Sequence, residues 1–250
     1  MSLAASRRLA LVLALVVPGL ACDDEPVVPC SSVGAPAGMT CIEGGSFING
    51  PGPDFSYPNQ QLERDVATYW LDTTEVTVAD YAACVNAGGC STPDFDGGVY
   101  CNWDAGGRDN HPINCVDWFQ ADAYCTWTGK RLPDEWEWEW AARGRDAGRT
   151  YPWGEKEPTC ARAVMYDSDF RDSAGCGAAS TLPVGRIPAG ASRDGVLDLA
   201  GNVWEWTSES VLRGGSWDFS VADYLRADFR FAYEPSLRDR DFGFRCAMTP

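Results

Sequence analysis

One stretch limits what this chain can become. Residues 196–217, VLDLAGNVWEWTSESVLRGGSW, set Trp204, Trp206 and Trp217 among Gly201, Gly214 and Gly215, with Asp198 and Glu205 on either side of a Gly201–Asn202 turn. Neither a helical nor a strand period runs through this order, so most of the segment must be irregular backbone. A backbone that turns at glycine can aim carbonyl oxygens inward beside carboxylates, the mixed oxygen cage that holds a hard cation such as Ca2+. The alternative is a glycine turn between two Trp-rich core segments, with Asp198 and Glu205 solvated or capping.

The first residues set the compartment. Arg7 and Arg8 precede an apolar run from Leu9 to Val17 that is too short to anchor in a bilayer, so residues 1–21 read as a signal peptide. The run ends Pro18, Gly19, Leu20, Ala21, Cys22, similar to a bacterial lipobox with its Leu one place nearer the cysteine than usual. Acylation of Cys22 would tether the chain to a membrane by lipid, without a spanning helix; plain secretion is the alternative. Asp23 and Asp24 bear on which membrane holds such a lipoprotein, but leave the leaflet open. Residues 22–38, rich in Pro, Ala and acids, read as the lipidated N-terminus and its linker, and residues 39–250 as one domain.

There are 11 cysteines. With Cys22 acylated an even number remains, which in an exported chain points to disulfides. No CxxC pair occurs and His111 is the only histidine, so zinc and haem sites lack their usual ligands. His111, followed by Pro112, reads as a loop residue. The formal net charge is −16, and loss of Arg7 and Arg8 makes it more negative. Nucleic acid and anionic lipid headgroups are thereby excluded as partners on charge. Much of that acid is simply solvated surface.

Short elements between Gly and Pro make this a loop-rich α+β chain. Strands are expected at Met39 before a Gly turn, over residues 66–74, and two or three times after Gly214. Thr77 with Asp80 marks one helix start, with Tyr81, Cys84 and Val85 inward. Asp117 with Gln120 marks a second, stopped at Gly129, with Trp118, Ala121, Cys125 and Thr128 inward. Residues 135–140 alternate Glu and Trp as a strand would, yet Asp134 and Glu137 form a capping box, and the helix is preferred, with Trp136 and Trp140 one turn apart.

Eight blocks carry a resemblance: EGGSFING, DTTEVTVADYAACV, HPINCVDWFQADAYCTWTGKRLPDEWEWEWAARGR, YPWGEKEP, TLPVGRIPAG, GVLDLAGNVWEWT, RGGSW and DFGFRCA. Their order resembles the formylglycine-generating, sulfatase-modifying factor family from Met39 to Met248. The resemblance implies a loop-rich variant of the C-type lectin fold stabilised by disulfides and calcium. One family calcium site falls on the side chains of Asp198 and Glu205 and the carbonyls of Gly201 and Val203. A second falls on Val164 and Cys176, which offer no side-chain oxygen, and a Cys160–Cys176 bridge is expected to pin that loop instead. A family disulfide maps onto Cys125 and Cys246; another maps onto Ala142 and Phe231, both lost together.

The resemblance fails at the chemistry. Family oxidases hold copper with two cysteines after the GGS block, and here those places carry Phe219 and Tyr224. Aromatic rings cannot replace a soft thiolate pair, so no catalytic residue and no bound copper are expected. Trp204 and Ser216 correspond to residues lining the family pocket, and Asp241 stands where the family carries Asn. Trp204 has an alternative as plain core. Arg213, Arg226, Arg230 and Arg245 are expected to pair with acids.

The reading is therefore a lipid-anchored envelope module, non-enzymatic, stabilised by Ca2+, that binds an envelope protein, peptide or glycan. The alternative is a metal-dependent oxidoreductase of the same superfamily, a divergent formylglycine-generating enzyme or the periplasmic kind that acts on siderophore precursors. Family members that make carbon–sulfur bonds bring iron-binding histidines on a helical domain that this sequence does not contain. A third possibility is a structural accessory lipoprotein.

Overall fold

The computed structural model describes residues 28–52, 61–93, 98–167 and 174–250. The expected signal peptide, residues 1–21, and Cys22 lie outside the described residues. Described residues 28–38 of the expected linker are stitched to the domain: Cys30 is bonded to Cys41, Thr68 Oγ1 donates to the Val28 carbonyl, and Thr73 N donates to Gly38 O.

Three small sheets and three helices carry the fold among the described residues. In the first sheet β4 (Tyr69–Asp72) lies between β1 (Met39–Ile42) and the C-terminal β9 (Ala247–Met248), both antiparallel to it. The second pairs β2 (Gly45–Ile48) with β3 (Glu63–Val66). The third has the order β7 (Arg230–Ala232), β6 (Val211–Arg213), β5 (Trp204–Trp206), β8 (Phe242–Gly243), with β8 parallel to β5.

The strand expected over residues 66–74 is in fact two. Val66 ends β3 and Tyr69 begins β4, each in a different sheet. The break at Ala67–Thr68 packs on Gly44, where a Cβ would stand 2.4 Å from the Val66 carbonyl oxygen, and Gly44 N donates to Thr68 Oγ1 at 3.1 Å.

The helix caps follow from side-chain chemistry. Helix α1 (Val78–Asn86) begins at Thr77, whose hydroxyl accepts from Asp80 N and donates to the Asp80 carboxylate. Helices α2 (Trp118–Trp127) and α3 (Glu135–Ala142) each begin with a complete capping box, on Asp117 with Gln120 and on Asp134 with Glu137. The inner face of α2 differs from expectation. In α2, Gln120 and Tyr124 are buried with Ala121 and Cys125, while Trp118 is half-buried and donates its indole N–H to Thr207 O. In α3 the fully buried ring is Trp138, between Glu135, Glu139 and Ala142 at helical spacing; Trp140 lies against Phe47 of β2, and Trp136 remains half-buried.

Two large apolar clusters result, beside a small third one at Tyr151, Met165, Ala200 and Leu225. One unites α1, α2 and the third sheet around Tyr81, Tyr124, Trp204, Trp206 and Phe244; the other unites the first sheet and α3 around Ile42, Tyr69, Leu71 and Trp138. Ala142 and Phe231 fall in separate clusters. Between the clusters run buried ion pairs, Arg213 with Glu139 at 2.5 Å and Arg245 with Glu205 at 2.7 Å. Arg226 pairs with Asp228 and Arg230 with Glu135, so all four arginines flagged in the sequence have acidic partners.

Five disulfides staple the irregular segments: Cys30–Cys41, Cys84–Cys90, Cys101–Cys115, Cys125–Cys246 and Cys160–Cys176. Cys125–Cys246 joins α2 to the C-terminal end across 121 positions, and Cys160–Cys176 clips a loop beside Met165 and Ala200.

Candidate functional site

Residues 196–217 form the hairpin β5–β6 and the loops on either side of it. Asp198, Gly201 and Asn202 adopt left-handed backbone at φ 57°, 83° and 63°, which only glycine takes without strain. Gly201 has no alternative, because a Cβ there would meet the Val164 carbonyl oxygen at 2.3 Å. This winding sends Trp204 to one side of the sheet and Glu205 to the other.

On the Trp204 side lies a cavity of about 220 Å3 lined by Trp204, Phe219, Phe231, Tyr233, Phe242 and Asp241, with Asp218, Arg238, Asp239 and Arg240 also on its wall. The Phe219 ring stands edge-on to Trp204 at 5.7 Å, and Tyr224 stands behind it, 5.0 Å from Phe219 and 4.8 Å from Phe229. Asp241, 6% exposed, accepts from Ser216 Oγ at 2.7 Å. Burial pushes the Asp241 carboxyl up to about 6, against the hydrogen bond from Ser216, and Asp239 adds repulsion. Trp204, Ser216, Asp241, Phe219 and Tyr224, named separately from the sequence, thus meet at one place. The residues missed are Phe231, Tyr233 and Arg240, which follow no motif and reach the cavity only through the β6–β7 pairing and the loop before β8.

On the other side, Glu205 is fully buried. Its Oε2 accepts from Arg245 Nε and Trp138 Nε1, both at 2.7 Å, and its Oε1 accepts from Arg245 Nη2 at 2.7 Å. Asp198 Oδ2 accepts from Gly185 N at 2.5 Å. The Gly201 and Val203 carbonyls accept no hydrogen bond from any described residue, although Val203 is fully buried. The sequence reading also missed Glu75. It is 2% exposed, no donor reaches either of its oxygens among the described residues, and the Asp198 carboxyl lies close enough to share a proton with it. Burial, then repulsion from Asp198, holds the Glu75 carboxyl well above the ordinary range, and burial raises Asp198 as well.

Glu75, Asp198 and Glu205 are therefore three buried carboxylates facing the single cation Arg245. Among the described residues no three acidic, thiol or imidazole side chains converge as a ready metal centre, so carbonyls have to complete any coordination. The available donors are all oxygens, with Glu205 Oε1 keeping a lone pair, and oxygen-only donor sets suit hard cations. His111 takes no part in either place: its Nδ1 lies 2.9 Å from Thr181 Oγ1, and burial lowers its pKa.

Small sheets stapled by disulfides, an aromatic cavity on the hairpin and an oxygen nest behind it define a loop-rich α+β protein of the formylglycine-generating enzyme type. The solved structure of PvdO from Pseudomonas aeruginosa superposes on it with a TM-score of 0.66 at 26% identity, covering 85% of this chain and 94% of that one. Residues 26–250 match the sulfatase-modifying factor enzyme 1-like domain family. The chain belongs to that family. It is 32% identical over 307 aligned positions to a formylglycine-generating enzyme of Streptomyces coelicolor, covering 94% of this chain and 96% of that one. It is 41% identical over 152 residues to a Bos taurus protein called inactive C-alpha-formylglycine-generating enzyme 2. That match spans 54% of this chain and only half of the bovine protein.

Proposed function

We propose that this chain is a non-catalytic member of its family, exported and held at the bacterial envelope by a lipid on Cys22, whose pocket binds a ligand instead of oxidising one. The observation that carries the reading is the Phe219–Tyr224 pair. Where the family resemblance places copper thiolates, two rings pack on each other at 5.0 Å and on Trp204 at 5.7 and 6.3 Å, and neither supplies a soft donor. The bovine relative, inactive by name, supports a fold that outlives the reaction. Incubating the purified chain with copper, oxygen and a cysteine-containing peptide tests this: the peptide thiol is expected to stay intact, and its conversion to an aldehyde overturns the reading.

Calcium belongs to the same proposal as a structural ion. The residues present fit it: carbonyls at Gly201 and Val203 that no described donor reaches, the Glu205 Oε1 lone pair, Asp198, and the Glu75–Asp198 pair, whose buried carboxyls a bound cation would favour in their ionised forms. Bound there, the ion would supply the positive charge that Arg245 alone does not provide.

The Streptomyces coelicolor relative, called a formylglycine-generating enzyme, favours a second reading as a metal-dependent oxidoreductase. Metal analysis of protein purified without chelators separates the two. Calcium alone agrees with a binding module; stoichiometric copper or iron agrees with the oxidoreductase.

A further inference from the structure

The cavity at Trp204 is walled largely by aromatic rings and carries more acid than base, Asp218, Asp239 and Asp241 against Arg238 and Arg240. Five of its lining residues are aromatic: Trp204, Phe219, Phe231, Tyr233 and Phe242. They form a continuous set, with Trp204 5.7 Å from Phe231, Phe231 5.6 Å from Tyr233, and Tyr233 5.5 Å from Phe242 between ring centroids.

The two arginines on the wall are already committed. Arg238 donates to Asp117 at 2.5 Å and to Gln120 at 3.0 Å. Arg240 donates to Asp218 and lies 4.9 Å over the Tyr100 ring. Asp239 and Asp241 consequently form no direct ion pair with either arginine, and Arg240 exerts only a minor attraction on Asp241. Asp241 is the more telling of the two, because it is buried on the cavity wall with only Ser216 donating to it. A buried carboxylate without a counter-charge is expensive unless something neutralises it.

We infer that this cavity binds a small ligand through a cationic head, an ammonium or quaternary ammonium group, seated in the cavity against the aromatic wall of Trp204, Phe231 and Tyr233 and beside Asp241. Aromatic faces attract a cation within about 6 Å of the ring centroid, and a ring-walled cage is the usual seat of quaternary ammonium groups. An anion would meet Asp239 and Asp241 without a free arginine to balance them. The volume, about 220 Å3, lies below the roughly 300–1,000 Å3 of typical ligand pockets, which selects a compact head group over a folded peptide or an oligosaccharide.

This inference rests on the pocket being a binding site and goes further by naming the ligand chemistry. Calorimetric titration of the full chain with choline and with its uncharged tert-butyl isostere tests it. Choline is expected to bind at least tenfold more tightly than the isostere. Asp241→Asn keeps an acceptor for Ser216, and Tyr233→Leu alters a residue 39% exposed at the rim. Each should weaken choline severalfold and leave the isostere unchanged. Equal affinity for the two probes, binding of neither, or binding of choline that both variants leave untouched overturns the cationic assignment. Copper-dependent oxidation of a cysteine peptide would instead overturn the reading beneath it.

Discussion

Asp241 shows how much one residue decides. Its carboxyl, raised to about 6 by burial, favours the protonated form in the folded chain relative to the unfolded one. That contribution to stability is complete below the unfolded value of 3.8 and is lost as pH rises toward 6. Groups facing Asp241 are Ser216, Asp218, Asp239, Arg240 and Tyr233. Asp241→Asn removes the titration and keeps the Ser216 hydrogen bond, so the variant should overtake the wild type above pH 6 by about 2–3 kcal/mol, with the gap closing at pH 4. Denaturant melts at both pH values measure it; a gap independent of pH would show that the fold does not shift the Asp241 carboxyl. At this scale the sequence was informative wherever a block named the residue, as with Trp204, Ser216, Asp198 and Glu205. Glu75 lay 123 positions from Asp198 in a block that reads as a helix approach, and nothing local marks a carboxylate that tertiary folding buries beside another.

Elements were legible where their signals are local. Capping boxes at Asp117 and Asp134 need only a few consecutive residues, and both starts are where those residues put them. The inner face of α3 was not legible, because alternating Glu and Trp offers two faces and the choice of Trp138 depends on Glu205 and Gly214 from another element. The break between β3 and β4 depends likewise on Gly44. Disulfides hold what such short elements do not, and loop length ranks their worth. Replacing Cys160 and Cys176 by Ala should cost about 3 kcal/mol for a loop of 16 positions, and replacing Cys125 and Cys246 about 5 kcal/mol for one of 121, on chain-entropy grounds. Urea melts of the two double variants read the ranking; the reverse order would mean that strain or residual structure outweighs loop entropy.

For the whole molecule, the order of the blocks already implied a loop-rich family fold; its apolar clusters and the buried ion pairs between them came only with the structure. What lay beyond it were the cavity's remaining walls, since Phe231 and Tyr233 arrive through strand pairing alone. The proposed calcium belongs to this scale because it would bind the folded chain and not the unfolded one. Chelation should lower the melting temperature by about 5–10 °C if calcium is present at roughly a hundredfold above its dissociation constant. Glu205→Ala, which also frees Arg245, should melt lower and show no further response to chelator. Identical wild-type melts with and without chelator would remove the ion from the account.

The account turns on a family pocket whose metal-binding sulfurs have given way to Phe219 and Tyr224. Mass spectrometry of a cysteine peptide incubated with the purified chain, reduced copper and oxygen tests this most directly. The account predicts the same products as in a protein-free control, with no aldehyde at any time point; accumulation of the aldehyde, dependent on copper and on this protein, would contradict it.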